Sequence, residues 1–448
     1  MMLGQAARVL DTSLQGADAE FVRVSIDSRT IQSGDLFVAI RGDRFDGHDY
    51  LDAACQAGAC AAVVSEQVSL PVPTLRVADT RQALGQLAAA WLDQFSLVRV
   101  AVTGNAGKTT VKEMMACLFG DGVLATEGNL NNDIGVPLTL FRVNAGTRYG
   151  VFELGANAPG EIAWTVSLVK PQVALVTNVT GAHLEGFGSM QGIADAKAEI
   201  FSGVAEGGFA VINLDDGFAD YFADSARRHG LNLITVSARH DDADLFASDI
   251  RVDQDSVAFA LHVAGQNISV KVPLPGRHQV SNALMALGAL HALQWPLADV
   301  VERFAQLAPV KGRMNLIRQG QGLLVDDTYN ANPGAVRVVA QWLAERPGNT
   351  MLVLGDLAEL GGDATGIMQG LGADIRASGV KQLVTVGALA ALAAQGFGEG
   401  ATVAADKQAA AELASAVLAD GGTVLVKGSR SAAMEQVVEQ VMNTGGQR

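Results

Sequence analysis

The largely apolar, β-branched run Val98–Val102 ends in Thr103-Gly104-Asn105-Ala106-Gly107-Lys108-Thr109-Thr110, and a helix-like stretch, Val111–Phe119, follows. That order leaves few folds open. Glycines let the backbone curl until several N–H groups point at one oxyanion, a lysine adds a point charge, and a threonine hydroxyl is placed to hold a magnesium ion. The helix dipole adds positive potential at its N-terminus. In the generic pattern G-x-x-x-x-G-K-[ST] the first glycine is replaced here by Val102, so the loop reads T-G-x-x-G-K-T. An ordinary glycine turn is the competing reading, but strand, Gly-Lys-Thr and helix in the required order favour phosphate binding. The expectation is a site for a nucleoside triphosphate in which Gly104, Asn105, Ala106, Gly107, Lys108, Thr109 and Thr110 form the cradle.

A chain of 448 residues is too long for one ordinary core and predicts two or three domains. The formal net charge of −15 argues against nonspecific binding to nucleic acid or anionic membranes. It also means that the few cations must be concentrated wherever phosphates bind. Cys55, Cys60 and Cys117 form no C-x-x-C pair and have no histidine at zinc-ligand spacing, so they read as small core residues of a reduced compartment. The N-terminus lacks a basic region followed by an apolar run, and no apolar stretch approaches the roughly 20 residues of a membrane span. These features predict a cytoplasmic protein.

Along the chain, Val22–Ile26, Leu36–Ile40 and Ala62–Ser65 read as strands, Leu51–Ala61 as a helix, and Arg81–Phe95 as the helix leading to the central strand. Beyond it, Tyr149–Leu154, Val173–Val179 and Phe209–Leu214 are short apolar runs that end in polar or glycine turns, the signature of βαβ units. The alternation over Asp249–Val272 predicts an antiparallel extension, followed by a helix at Val280–Leu293. A second alternating block fills the C-terminal third. It has strands at Leu323–Val325, Met351–Leu354, Leu383–Val386 and Val424–Val426, and helices at Val336–Glu345, Gly370–Ser378, Lys407–Leu418 and Ala432–Met442. The fold class is α/β in three domains: a small α/β unit at 1–82, a phosphate-loop domain with a mainly parallel sheet at 83–309, and a third α/β domain at 310–448.

Ligands of parallel sheets sit at the carboxyl ends of the strands. Glu153, at one such end, is a candidate magnesium ligand, and His183 a candidate ligand of a second divalent ion; ordinary loop roles remain open for both. Lys197 lies in the small-residue stretch Ile193–Phe201. As an ammonium it would repel a metal, as a carbamate it would bind one, and on the residues alone it reads as a surface or ion-paired lysine. Arg313, in Gly312–Asn315, is a candidate for stabilising charge on a transferring phosphoryl group. Asp326–Pro333 is a polar cluster directly after a strand, and Lys427–Arg430, which follows another strand and precedes a helix, suits an anion or a carboxylate. In the first domain, Asp27-Ser28-Arg29 and Arg44–Asp49, with Asp46-Gly47-His48 at its centre, could hold a phosphorylated ligand or be solvated loops.

Thr103–Glu113, Asn129–Gly135, Glu153–Asn157 and Asp327–Pro333 together resemble the Mur ligases of peptidoglycan synthesis. The similarity runs over essentially the whole chain and includes Asp27–Arg29, Asp46–His48, Ala196–Phe201 and Lys427–Glu435. It implies a first domain that holds a UDP-sugar peptide through Asp27, Ser28, Arg29, Asp46, Gly47 and His48, a central ATPase, and a Rossmann-like last domain that closes over the nucleotide. Thr109, Glu153, His183 and a carbamylated Lys197 would organise two magnesium ions, and Lys108, Lys197, His183 and Arg313 would carry catalysis. Asn282, Arg313 and Asp327 would contact ATP. The cluster Tyr329–Pro333 implies that the incoming amine is D-alanyl-D-alanine and the acceptor a UDP-N-acetylmuramoyl-tripeptide, with Asn330, Asn332, Ser429 and Arg430 at the dipeptide end. A monomer is expected.

The chain departs from the family pattern at Asn105, where serine is common, at Ala158 and Met368, where histidines are usual, and at Gln279, where asparagine is usual. Two other functions stay open at this point. One is a related amide ligase of the folylpolyglutamate synthetase type; the other is a nucleotide switch that ligates nothing. Whether the third acceptor residue is diaminopimelate or lysine is not written in the chain.

Overall fold

The computed structural model describes residues 1–42, 45–180 and 184–445, and among them three separate sheets account for the strands. The first contains β1 (Leu14–Gln15), β2 (Arg23–Ser25), β3 (Asp35–Val38), β4 (Ala61–Val64) and β5 (Thr74–Arg76) in the order β1-β5-β4-β3-β2, with only β1 antiparallel to its neighbour. The helix that begins at Leu51 stops at Gln56 rather than continuing toward β4. Gly58, at φ +109, turns the chain there, and Ala61 already belongs to the strand.

The central sheet contains β6 (Val98–Thr103), β7 (Val123–Ala125), β8 (Tyr149–Glu153), β9 (Val173–Val176), β10 (Phe209–Asn213), β11 (Asn232–Ser237), β12 (Leu245–Val252), β13 (Val257–Val263) and β14 (Gln266–Val272). Their order is β14-β13-β12-β11-β10-β9-β6-β8-β7. Only β12, β13 and β14 pair antiparallel, which is the extension that the alternation predicts. β11, the helix Ala219–Arg228 and the start of β12 are absent from the sequence reading, because polar residues such as Asn232 and Thr235 interrupt the apolar run.

From β6 the chain goes to one side to make β7 and β8, then crosses back to make β9 on the other side. This reversal opens a crevice at the carboxyl end of β6, where a parallel sheet receives its ligand. β6 is buried on both faces. Val100 and Val102 point into the layer of helices α2 (Lys108–Phe119) and α4 (His278–Ala292), packing with Val111, Met114, Leu118 and Leu284. Ala101 points to the opposite layer, beside Ile162 and Val166. The 111, 114, 115 and 118 spacing puts one face of α2 in the core, and each such buried side chain contributes roughly 1.5–3 kcal/mol. α4 is buried nearly all round; a methyl on its Gly288 would stand 2.9 Å from Val211 and Val236, so glycine lets this helix lie close on β10 and β11.

Helix α1 (Thr80–Leu92) joins the first two units. Ala83, Leu84 and Leu87 enter the core of the first sheet, while Ala88 and Leu92 enter that of the second. The third sheet contains β15 (Asn315–Gln319), β16 (Gly322–Asp327), β17 (Thr350–Gly355), β18 (Gln382–Val386), β19 (Ala401–Val403) and β20 (Thr423–Lys427), ordered β15-β16-β20-β17-β18-β19 and parallel except for β15. Its core lies on both faces: Leu352 and Leu354 of β17 face one layer, Met351 and Val353 the other. No helix among the described residues is long and apolar enough to cross a membrane.

Candidate functional site

The phosphate loop forms because Gly104 (φ +138) and Gly107 (φ +82) take backbone angles that other residues rarely adopt, and Gly107 then caps α2. The first-turn amides of α2 have no intrahelical acceptor and face the crevice with the helix dipole behind them. Lys108 Nζ donates to Gly104 O at 2.6 Å and so curls over the loop. Burial pushes Lys108 well below the ordinary lysine value; Glu153 opposes that and Arg313 adds to it. A cluster of cations held in a dry site is one that an anionic ligand relieves.

Asn178, at the exit of β9, fixes the loop. Its Oδ1 accepts from Ala106 N at 2.9 Å and its Nδ2 donates to Ala106 O at 2.9 Å, while Asn105 N donates to Asn178 O at 3.0 Å. The sequence marks Asn178 only as a polar strand end, since a residue that acts on another segment's backbone carries no local motif.

Glu153 is 2% exposed at the end of β8. One carboxylate oxygen accepts from the Thr109 hydroxyl at 2.8 Å and the other from Asn131 Nδ2 at 2.9 Å. Among the described residues no group of three or more His, Cys, Asp and Glu side chains could hold a metal alone. An all-oxygen pair beside the phosphate cradle does suit magnesium, which keeps waters and takes phosphate oxygens as its other ligands. Lys197, on helix α3 (Met190–Ala198), is 1% exposed and lines the same crevice, with its Nζ 5.5 Å from the Phe187 ring centroid. Burial lowers it to about 7, with Lys108 pushing the same way against Glu199 and Glu161. His183 lies outside the described residues.

Along α4, Asn282 Nδ2 donates to Gln279 Oε1 at 2.9 Å, and Gln279 Nε2 lies 3.1 Å from His278 Nε2. His278 is lowered to about 4 by burial, against Asp327 and with Lys427. A neutral imidazole therefore accepts from Gln279. The departure at Gln279 is thus built into a chain that reaches Asn282, whose Oδ1 sits against Gly107.

The third sheet supplies the opposite wall. Asp327 and Lys427 are register partners on β16 and β20, joined by a 2.5 Å ion pair although 100 residues apart. Lys427 also donates to Asn330 O at 3.0 Å, and Asn332 caps helix α5 (Pro333–Ala344) by accepting from Ala335 N at 2.8 Å. Arg313 stacks over Tyr329 at 4.4 Å with its Nε buried and unpartnered. Such an orphan donor on the same crevice as Lys108 calls for an acceptor that the described residues do not supply. Arg430 is ion-paired to Glu435 at 3.0 Å. Ser429 is buried and spends its hydroxyl on Asp356 O at 2.7 Å.

A cavity of about 580 Å³ gathers these groups. Asn105 to Thr110, Glu153, Lys197 and Asn282 line one side, and Arg313, Asp327, Asn330, Asn332, Lys427 and Arg430 the other. Gly104, in the loop on one side, and Ser429, after β20 on the other, are not among the lining residues. The candidates of the first sheet are elsewhere. Asp27 caps the 3₁₀ turn Ser28–Thr30 and pairs with Arg29 at 2.7 Å, leaving the guanidinium 86% exposed. His48 is committed to the fold. Its Nδ1 lies 2.6 Å from Asp46, and its Nε2 accepts from Ser65 N at 3.0 Å, so neither ring nitrogen is left for a ligand. A side chain on Gly47 would meet Ile40 backbone at 2.7 Å, which explains the glycine. Phe45 and Tyr50 are both exposed beside this turn. A second cavity of about 520 Å³, lined by Thr12, Ser65, Arg76 and Asp79 among others, includes none of the first-sheet candidates.

Residues 20–92 match the Mur ligase family catalytic domain, 102–290 the Mur ligase middle domain, and 312–430 the Mur ligase glutamate ligase domain. The chain is 43% identical over 451 residues to the UDP-N-acetylmuramoyl-tripeptide–D-alanyl-D-alanine ligase of Escherichia coli (strain K12), covering 99% of this chain and 98% of that protein. Among solved structures it is similar to MurF from Acinetobacter baumannii (TM-score 0.92, 34% identity, 98% of both chains). It is also similar to the MurF ligase from Thermotoga maritima in complex with ADP (TM-score 0.86, 28% identity, 95% of this chain and 98% of that one).

Proposed function

The chain belongs to the Mur ligase family, and we propose that it joins D-alanyl-D-alanine to UDP-N-acetylmuramoyl-tripeptide with hydrolysis of ATP. It is a ligase of peptidoglycan synthesis. The observation that carries the reading is the two-sided cavity, with a phosphate loop on one wall and the third sheet's Arg313, Asp327, Asn330 and Arg430 on the other. A switch would need only the first wall.

The proposed division of labour follows the three units: acceptor nucleotide at 1–82, ATP at 83–309, and the dipeptide amine at 310–448. Lys108 and the first turn of α2 hold the β- and γ-phosphates, and Asn282 and Asp327 hold the nucleoside. Arg313 offers its orphan Nε to charge on the transferring group. Glu153 and Thr109 would hold magnesium, which would supply neutralisation of phosphate charge. Lys197, whose amine is part neutral near pH 7, would add carbon dioxide and release a proton, and the carbamate would supply a further oxygen ligand, with the His183 imidazole nitrogen as another candidate ligand. The acceptor's terminal carboxylate attacks the γ-phosphorus, ADP leaves, and the dipeptide amine displaces phosphate from the acyl phosphate. Catalysis is then mostly positioning and charge neutralisation. On the first sheet, Arg29, Ser28 and the Asp46-Gly47 turn are the proposed contacts, with His48 bracing that turn.

The test is phosphate release with each acceptor nucleotide and each amine supplied singly and together. Release only when UDP-muramoyl-tripeptide and D-alanyl-D-alanine are both present supports the reading. Nucleotide binding without release would favour the switch, and release with a folate acceptor the folylpolyglutamate-type alternative.

A further inference from the structure

Asn105 grips the exit of β9 twice. Its N–H donates to Asn178 O at 3.0 Å, and its Oδ1 accepts from Thr180 N at 3.2 Å. Thr180 in turn meets the other wall. A methyl on Gly334, the second residue of α5, would stand 3.0 Å from Thr180 Cβ and 3.2 Å from its Cγ2. The Thr180 hydroxyl is buried without a partner among the described residues, and its contact with Gly334 is made by Cβ and Cγ2, by shape and not by hydrogen bonding. Asn105, Thr180 and Gly334 all line the same cavity, and α5 begins directly after Asn330 and Asn332. Loop, strand exit and the third sheet's leading helix therefore form one line of contact.

We propose that Asn105 and Thr180 are positioning residues for the ligation. Asn105 sets the height of Thr180 above the phosphate loop, and Thr180 is the stop on which the first turn of α5 seats. That seating brings the dipeptide end, at Asn330, Asn332 and Arg430, into register with Lys108. Gly334 is small because the seat is close. A serine at position 105 is too short to reach the Thr180 amide from the same backbone, so the asparagine of this chain has the reach that the hydrogen bond needs. The substrates named here rest on the ligase reading above; the contact itself does not.

The experiment is a size exchange. Gly334→Ala should lower kcat about 10-fold and raise KM for D-alanyl-D-alanine, while binding of a non-hydrolysable ATP analogue stays within about twofold of the unaltered protein. Adding Thr180→Gly should restore kcat to within about threefold, and Asn105→Ser should lower kcat without being rescued by Thr180→Gly. Thr180→Leu, which adds bulk from the other side, should reproduce the loss and covers the case in which Gly334→Ala does not fold. Hydrogen exchange reads the seat without turnover: Gly334→Ala should speed exchange at 178–180 and in the first turn of α5, and the double variant should reverse it. Normal turnover by Gly334→Ala, or a double variant no better than the single one, overturns the proposal. If the unaltered protein releases no phosphate with both substrates, the ligase reading fails, and unchanged exchange in Gly334→Ala then decides against the seat separately.

Discussion

Replacing Lys197 by methionine should stabilise the fold while destroying the activity. The side chain is 1% exposed and titrates at about 7, whereas an unfolded lysine titrates at 10.5. Between those values the unfolded chain carries a proton that the folded chain lacks, so stability rises with pH by about 1.4 kcal/mol per pH step across that window. Below pH 7 both states are protonated and the whole cost is present, about 5 kcal/mol from the separation of the two values. Above about 10.5 it vanishes. Lys197→Met keeps the length and apolar stem without the charge, so it should gain several kcal/mol at pH 7, and the gain should shrink toward alkaline pH. The assay is urea unfolding of both proteins from pH 6 to 9.5 in carbon-dioxide-free buffer, which keeps the amine uncarbamylated, with slopes compared so that only midpoints carry the difference. A methionine variant that is no more stable at pH 7, or one whose advantage does not vary with pH, would refute the reasoning.

Three further outcomes are expected. Lys108→Ala should cut phosphate release by on the order of 10²–10⁴ with an unchanged circular dichroism spectrum; a loss within about threefold would remove Lys108 from the phosphoryl-transfer machinery. Lys197→Ala should regain part of its activity when formate or acetate is added, since a small carboxylate can occupy the place of the carbamate; near-normal activity without additive, or no effect of either anion, counts against the carbamate. Arg29→Ala should raise KM for the acceptor nucleotide several-fold and leave that for ATP nearly unchanged, and equal damage to both would show that the first sheet has been given the wrong ligand.

What the sequence reveals of the site divides along contiguity. The phosphate loop is legible because strand, glycines, lysine and helix are consecutive, and local backbone angles at Gly104 and Gly107 suffice to shape it. Glu153 and Lys197 are single residues on separate elements, and only the family resemblance raised them above ordinary loop and surface roles. The pairing of Asp327 with Lys427 depends on β16 and β20 being neighbours, a matter of strand order that no local pattern encodes. His48 shows the opposite failure. Its residue type suggests a ligand contact, but whether an imidazole faces outward or ties a turn to the next strand depends on where Ser65 lies, and that is settled by tertiary packing. Asn178 and Asn105 are marked in the sequence only as a strand end and a loop position, and what they bond to is not, for a related reason: amides that bond to backbone can do so from many positions, so residue identity does not name the partner.

The charge distribution explains why such a site can exist in so acidic a chain. With 47 carboxylates against 32 lysines and arginines, the field far from the protein repels both a nucleoside triphosphate and a UDP-linked acceptor. At physiological ionic strength that field fades within about 8 Å, while charges inside a cavity with buried walls are screened much less. Lys108, Lys197, Arg313, Lys427 and Arg430 are collected on that cavity. Their burial, and to a lesser degree their closeness, is costly, as the lowered Lys108 and Lys197 record, and Arg313 keeps a buried donor without a partner among the described residues. Anions that enter between the two walls remove those costs together. Since the cations come from two different sheets, the anions proposed to bind there would also draw the walls toward each other, and capture of the charged substrates and assembly of the reacting geometry would then be one electrostatic event.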